Sequence, residues 1–121
     1  CILPEHIHLV MALPHHESNF SHRVRLIKSK FCQQLATKLP LAKNARGEYN
    51  VWQRRFWEHT IKDEADLRRC VDYVHFNPVK HGLVTQVKDW PFSSFHREVR
   101  EGRFTENWGG ENIQTTGNWG E

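Results

Sequence analysis

The chain has 121 residues, of which 38% are apolar and 26% charged, and a formal charge of +3. That is enough for one soluble globular domain with a single core, and no apolar run approaches a membrane span or a secretory signal. The cysteines are Cys1, Cys32 and Cys70, odd in number and scattered, which is neither a disulfide framework nor a zinc ligand set, so a reducing cytoplasm is the expected location.

The chain opens at Cys1 inside a strand-like run and reads as an N-terminally truncated piece. Ile2 to Leu13 alternates, with Ile7, Leu9 and Met11 on one side and His6, His8 and Val10 on the other, which predicts a strand. Side chains two apart on a strand share a face, so His6 and His8 can converge on one metal ion. With nine histidines in the chain that spacing alone is weak evidence. Pro14, His15 and His16 follow as a turn, the two histidines being read as surface residues.

From Asn19 to Lys38 the apolar residues Phe20, Val24, Ile27, Phe31 and Leu35 recur at helical spacing, with Ser18 or Asn19 as cap. Between His22 and Arg55 there are nine lysines and arginines against one acid, Glu48. Arg23, Arg25, Lys28 and Lys30 on the helix, with Arg54 and Arg55 further on, suit contacts to a phosphate backbone, and five tryptophans offer surfaces on which bases can stack. The plainer alternative is a solvated helix face with ordinary core tryptophans. Leu41 to Asn50 reads as a loop or hairpin tip, and Val51 to Ile61 (VWQRRFWEHTI), rich in aromatics, as a second strand.

Asp63 and Asp66 resemble a capping pair that opens a second helix. Its apolar stripe is Leu67, Cys70, Val71 and Val74; Tyr73 lies off that stripe, sharing a face with Asp66 and Asn77. A phenol in that place is either a boundary residue with its hydroxyl in water or a group with chemical work to do. Because proline disfavours helical backbone at the residue before it, Asn77-Pro78 predicts that the helix stops within about a turn of Tyr73. Lys80-His81-Gly82 then forms a turn and Leu83 to Val87 a short extended piece. Asp89 to Ser94 leads into a short helix through Phe95, Val99 and Arg100, stopped by Gly102. His75 and His81 read as structural or DNA-contacting. From Glu106 the chain turns rich in glycine and asparagine, which predicts a folded domain over 1–105 and a flexible tail over 106–121.

Taken together, PEHIHLVMALP, IKSKF, WQRRFWEHTI, DYVHFNPVKHGLV and DWPFSSFHREVREG through WGG resemble the REP-associated tyrosine transposases, in order, from Pro4 to Gly110. These are single-tyrosine enzymes of the His-hydrophobe-His superfamily. The resemblance implies a ferredoxin-like α+β fold, an antiparallel sheet with helices on one face, here lacking its N-terminal strand and helix. It implies a metal-dependent endonuclease and strand transferase acting on single-stranded DNA at hairpin-forming palindromic repeats, through a 5′-phosphotyrosine intermediate. His6 and His8 match the metal-binding pair, Asn77 the third ligand and Tyr73 the nucleophile; the ion is Mg²⁺ or Mn²⁺. The partner is single-stranded or hairpin DNA, and the protein a monomer or homodimer, with the tyrosine serving its own chain or its partner's. Two other functions fit the residues. One is a protein of the same fold that grips hairpin DNA or RNA without cutting; the other is a small metal hydrolase using His6, His8 and His59 with water as nucleophile.

Overall fold

A helix that continues through its own proline organises the larger part of the structure. In this computed structural model, which describes residues 1–110, helix α1 spans Phe20–Ala36, α2 Glu64–Lys80 and α3 Phe95–Arg100, with a single 3-10 turn at Val87–Asp89. The chain divides into two compact units, one made of Cys1–Met11 with the chain from His59 on, the other of Ala12–Glu58.

Helix α2 begins as its sequence predicts. The Asp63 carboxylate accepts from the Asp66 backbone N–H at 2.8 Å, and Glu64 and Asp66 place negative charge in the first turn, where the helix dipole favours it. Its end differs from expectation. Pro78 lies inside the helix, which runs on to Lys80. The Gly82 N–H bonds Val79 O at 2.9 Å and the Leu83 N–H bonds Pro78 O at 2.9 Å, the paired bonds of a Schellman cap, and Gly82 takes the required left-handed backbone at φ 67°. Pro78 cannot donate to Val74 O, but it is almost wholly buried together with Asn77, and that packing offsets the lost bond. The helix therefore ends at its C-terminal glycine, two turns beyond Tyr73.

The two predicted strands are corrected. Among the described residues the β pairing consists of isolated bridges, Ile2 with Ile7 and Lys43 with Tyr49, and no ferredoxin-like sheet is formed. The chain doubles back at Pro4 and Glu5, so that the His8 N–H bonds Cys1 O at 3.0 Å and the Leu3 N–H bonds His6 O at 2.9 Å; a second row of contact comes from Ile2, whose N–H bonds Phe92 O at 2.8 Å. A strand persists only where a neighbour takes up its N–H and C=O groups. Residues 9–13 lack that pairing, and Leu9 and Val10 stand exposed. Val51 to Ile61 is likewise irregular. The predicted extended piece over Leu83 to Val87 is a bend leading into the 3-10 turn.

The core of the larger unit gathers under α2 and α3. Phe95 and Val87 are fully buried, and His75 (2% exposed) packs edge-on to Phe95 and Phe104, with Ser93 Oγ 3.4 Å from its Nδ1. Trp108 closes the cluster against Phe104 and Phe95. Residues 106–110, expected to begin the tail, are thus packed in part; the remainder of that expected tail, 111–121, lies outside the described residues. In the smaller unit, Asn19 caps α1 by accepting from the His22 N–H at 3.0 Å, Phe20 meets Phe56, and Phe31 meets Trp52. The predicted hairpin tip is present over 43–49, where the Asn44 side chain accepts from the Arg46 and Glu48 N–H groups.

Gly109 has φ 80°, and a Cβ placed there would sit 2.6 Å from Val87 Cγ2. Gly109→Ala combines left-handed strain with overpacking and should destabilise the protein by about 2 to 4 kcal/mol in denaturant unfolding. Burial lowers the His75 pKa from 6.5 to about 4, so the folded state resists protonation that the unfolded chain accepts. Its contribution is present above pH 6.5 and is lost as the pH falls toward 4. Allowing for solvent screening, the loss is on the order of 1 to 2 kcal/mol. Denaturant midpoints at pH 6.5 and 4.5 should show a smaller difference in His75→Phe than in the wild type.

Candidate active site

Four rings follow one another at the junction of the N-terminal hairpin and α2. His81 lies 5.1 Å from His6, His6 lies 4.8 Å from His8, and His8 lies 5.4 Å from Tyr73, centroid to centroid, each pair edge to face. Tyr73 is 5% exposed. A single chain therefore brings together the phenol and the histidine pair that the sequence marks out. Edge-to-face contact is the arrangement such rings favour, and the tight turn at Pro4 and Glu5 presents His6 and His8 to the helix without a strand beneath them.

Asn77 lies one helical turn beyond Tyr73 and is fully buried. Its amide nitrogen donates to Tyr73 O at 3.4 Å, which leaves its Oδ1 buried without a hydrogen-bond partner; His6 Nε2 is in the same condition. Buried polar atoms without partners are rare because each costs free energy, and an imidazole nitrogen and an amide oxygen are both donors that a divalent ion accepts. The residues present thus fit the metal that the resemblance implies.

The extension of α2 beyond Pro78 adds two groups that the sequence reading did not place here. Lys80 is seven residues from Tyr73, which brings it within about 20° of the same helix face. Its Nζ donates to the Tyr73 Oη at 3.1 Å and stands 4.9 Å from the ring centroid. His81 is the helix cap and meets His6. The signal that could have found both is Gly82, the C-terminal glycine of the helix, which was outweighed by Pro78.

A second group lies at the start of α2. The ligand atoms of His59, Asp66 and Cys70 are all within 4.8 Å of one another and could hold an ion. Asp66 already accepts from the Lys62 N–H at 3.0 Å, His59 Nε2 at 2.8 Å and Arg69 at 3.3 Å. The Lys62 N–H, then His59, hold its carboxyl below the usual carboxylate range, and burial, with the Asp66 charge, pushes the Cys70 thiol up. Among the described residues His59 shares a ligand group with Asp66 and Cys70, not with His6 and His8.

The basic residues singled out in the sequence lie in the smaller unit. Arg23 is paired with Glu17, Arg25 is 3.1 Å from His22 Nδ1, and Lys28 donates to Gln53 O at 2.8 Å beside the Phe56 ring. Lys30, Arg54 and Arg55 are exposed.

No protein-family model matches the chain. Curated relatives do. A Haemophilus influenzae protein assigned to the REP-associated tyrosine transposases is 49% identical over 113 residues, 91% of this chain and 64% of the relative. The REP-associated tyrosine transposase of Escherichia coli is 46% identical over 110 residues, 91% of this chain and 60% of the relative. A solved structure of a REP-associated tyrosine transposase bound to a REP hairpin superposes with a TM-score of 0.68 at 40% identity, over 90% of this chain and 61% of that one. The fold is thus that of a tyrosine transposase. The chain is similar to the REP-associated tyrosine transposases over most of its own length and spans about 60% of the length of the curated relatives it matches.

If the unpartnered Asn77 Oδ1 is a cost carried by the metal-free protein, Asn77→Leu should leave the fold intact. Unfolding by denaturant in the presence of a chelator should then give a stability unchanged or raised by about 1 kcal/mol.

Proposed function

We propose that this chain is a single-stranded-DNA endonuclease and strand transferase that acts on hairpin-forming repeats through a 5′-phosphotyrosine intermediate. The observation that carries this reading is the buried Tyr73 ring packed against His8, itself packed against His6, within one chain. In the proposed reaction the Tyr73 oxygen attacks a DNA phosphorus. The O–P bond to tyrosine forms as the bond from phosphorus to the 3′ oxygen breaks. The phenol proton passes to water, and the departing oxygen takes a proton from water to become a 3′-hydroxyl. Phosphodiester is exchanged for phosphodiester, so the strand can be rejoined by the reverse step without a nucleotide cofactor.

His6, His8 and Asn77 would hold the divalent ion, Mn²⁺ or Mg²⁺, whose charge polarises the phosphate when it is bound. His8 also fixes the face of the Tyr73 ring, and α2 fixes the position of its oxygen. Arg23, Arg25, Lys28, Lys30, Arg54 and Arg55 are the proposed backbone contacts to hairpin DNA. The relative bound to a REP hairpin supports that choice of partner. The ferredoxin-like sheet belongs to the same proposal, since the backbone of residues 9–13 is without ladder bonds and Ile7 and Leu9 stand exposed on one side of it, which suits pairing with further strands. A cytoplasmic location accords with it, none of the three cysteines being bridged.

The test is incubation of the purified chain with a labelled hairpin oligonucleotide carrying a single-stranded flank, with Mn²⁺ or Mg²⁺. A covalent protein–DNA band that survives denaturing gel electrophoresis is expected. Tyr73→Phe and chelation should each abolish it, and His6→Ala or His8→Ala should slow its formation about 100-fold or more. A shifted band on a native gel with no covalent product would instead establish a hairpin-binding protein that does not cut.

A further inference from the structure

We infer that Lys80 is a further catalytic residue, whose ammonium holds the Tyr73 oxygen and balances the negative charge on that oxygen while its bond to phosphorus forms or breaks. This rests on the proposed transesterification and names a group that acts at its reacting atom. The geometry is specific. A lysine in the last turn of a helix gains from the dipole merely by standing near the terminal carbonyls, and its charged end ordinarily remains in water. Lys80 instead reaches back two turns to a phenol that is 5% exposed, where its Nζ lies 3.1 Å from Oη and 4.9 Å from the ring centroid. The ammonium thus stands nearer the oxygen of Tyr73 than the centre of its ring.

The chemistry gives that contact a use. When a phenol attacks phosphorus, its oxygen must give up its proton before the new bond can complete. In the reverse step the same oxygen leaves carrying a negative charge. A fixed cation at 3.1 Å stabilises the charged oxygen in both directions. Lys80 keeps its proton throughout: the phenol proton goes to water, as in the step above, and the ammonium supplies charge rather than a proton. The helix itself sets this geometry, because a seven-residue separation restores the face. If α2 had ended at Asn77, Lys80 would have had no fixed place, so the Schellman cap at Gly82 is also what positions the cation.

Two variants separate charge from packing. Lys80→Met keeps a stem that can lie on the Tyr73 ring and removes the ammonium; Lys80→Arg keeps the charge. Single-turnover rates of adduct formation, measured on the labelled hairpin with saturating Mn²⁺, should fall about 100-fold in Lys80→Met, with hairpin affinity within twofold of wild type and an unchanged circular dichroism spectrum. Lys80→Arg should recover to within about tenfold of wild type, and rejoining of the trapped adduct to a free 3′-hydroxyl should slow in Lys80→Met by a similar factor. An adduct rate in Lys80→Met within threefold of wild type would overturn the inference and leave the transesterification standing. So would a loss of rate matched by an equal loss of hairpin affinity, which would make Lys80 a DNA contact. Failure of the wild type to form any Tyr73-dependent adduct would remove the reaction and the role of Lys80 together.

Discussion

The arrangement depends on the edge-to-face contact between Tyr73 and His8, and the groups gathered around that contact depend on α2 remaining helical through Pro78. A ring pair of this kind contributes only about 0.5 to 1.5 kcal/mol beyond the area it buries. Its importance is positional. The hairpin that carries His6 and His8 closes on itself through the Leu3 and His8 N–H groups, and its Ile2 N–H goes to Phe92 rather than to α2, so its registry with the helix is set by side chains. Leu3, 5% exposed, anchors the hairpin, and the ring contacts fix how its two histidines face the helix. Had α2 unwound at Asn77, the amide, the lysine and His81 would each have been placed by a loop. They are placed instead by one rigid element with a capped end.

The resemblance, more than spacing, singled out the histidine pair, Tyr73 and Asn77; spacing alone showed which side chains share a face, two apart on a short extended piece and four apart on a helix. The Asp63 cap, the Asn19 cap and the turn over 41–50 were legible from the residues themselves, each being a local matter of a few side chains and the backbone beside them. What was not legible depends on tertiary neighbours. Alternation over Ile2 to Leu13 describes a residue pattern that suits a strand, yet a strand exists only when another takes up its backbone groups, and the pattern carries no information on whether one is adjacent. Pro78 failed as a stop signal because its penalty, a missing hydrogen bond and a crowded preceding residue, is local and finite, whereas the burial of Pro78 and Asn77 against the rest of the unit is not visible in the helix's own residues. Lys80 and His81 were missed as a direct result, since both are aligned with the site only if the helix reaches them.

The unpartnered atoms at Asn77 and His6 show where stability has been given up. A buried amide oxygen without a donor costs on the order of 1 to 3 kcal/mol, a sizeable share of the stability of a chain of this length. Asp66, on the same face of α2 about three turns before Asn77, presents the opposite case: a buried carboxylate with its oxygens taken up by a backbone N–H, an imidazole and a guanidinium. One polar residue of the stripe thus stabilises the start of the helix, and another is held with an acceptor exposed to nothing. Under the proposed reaction that difference is functional, because a ligand already satisfied by the protein binds an ion poorly, and one left unsatisfied gains from it.

The basic residues of the smaller unit pose a related question of competition. Arg23 and Lys28 are engaged with Glu17 and with a backbone carbonyl, so a phosphate that drew on them would replace existing contacts rather than add to bare charges. Exchanging a carboxylate for a phosphate on an exposed arginine changes the energy of that pair little, since surface pairs are worth about 0 to 1 kcal/mol. The larger gain in binding a polyanion is the release of its condensed counterions, which depends on how many cations lie along its path and not on whether each was idle beforehand. Engagement of Arg23 and Lys28 within the protein is therefore compatible with a role on DNA. It orients their side chains before binding, which lowers the entropy lost when a backbone is gripped, and it confines the choice of where along a hairpin they act to the direction in which those contacts already point.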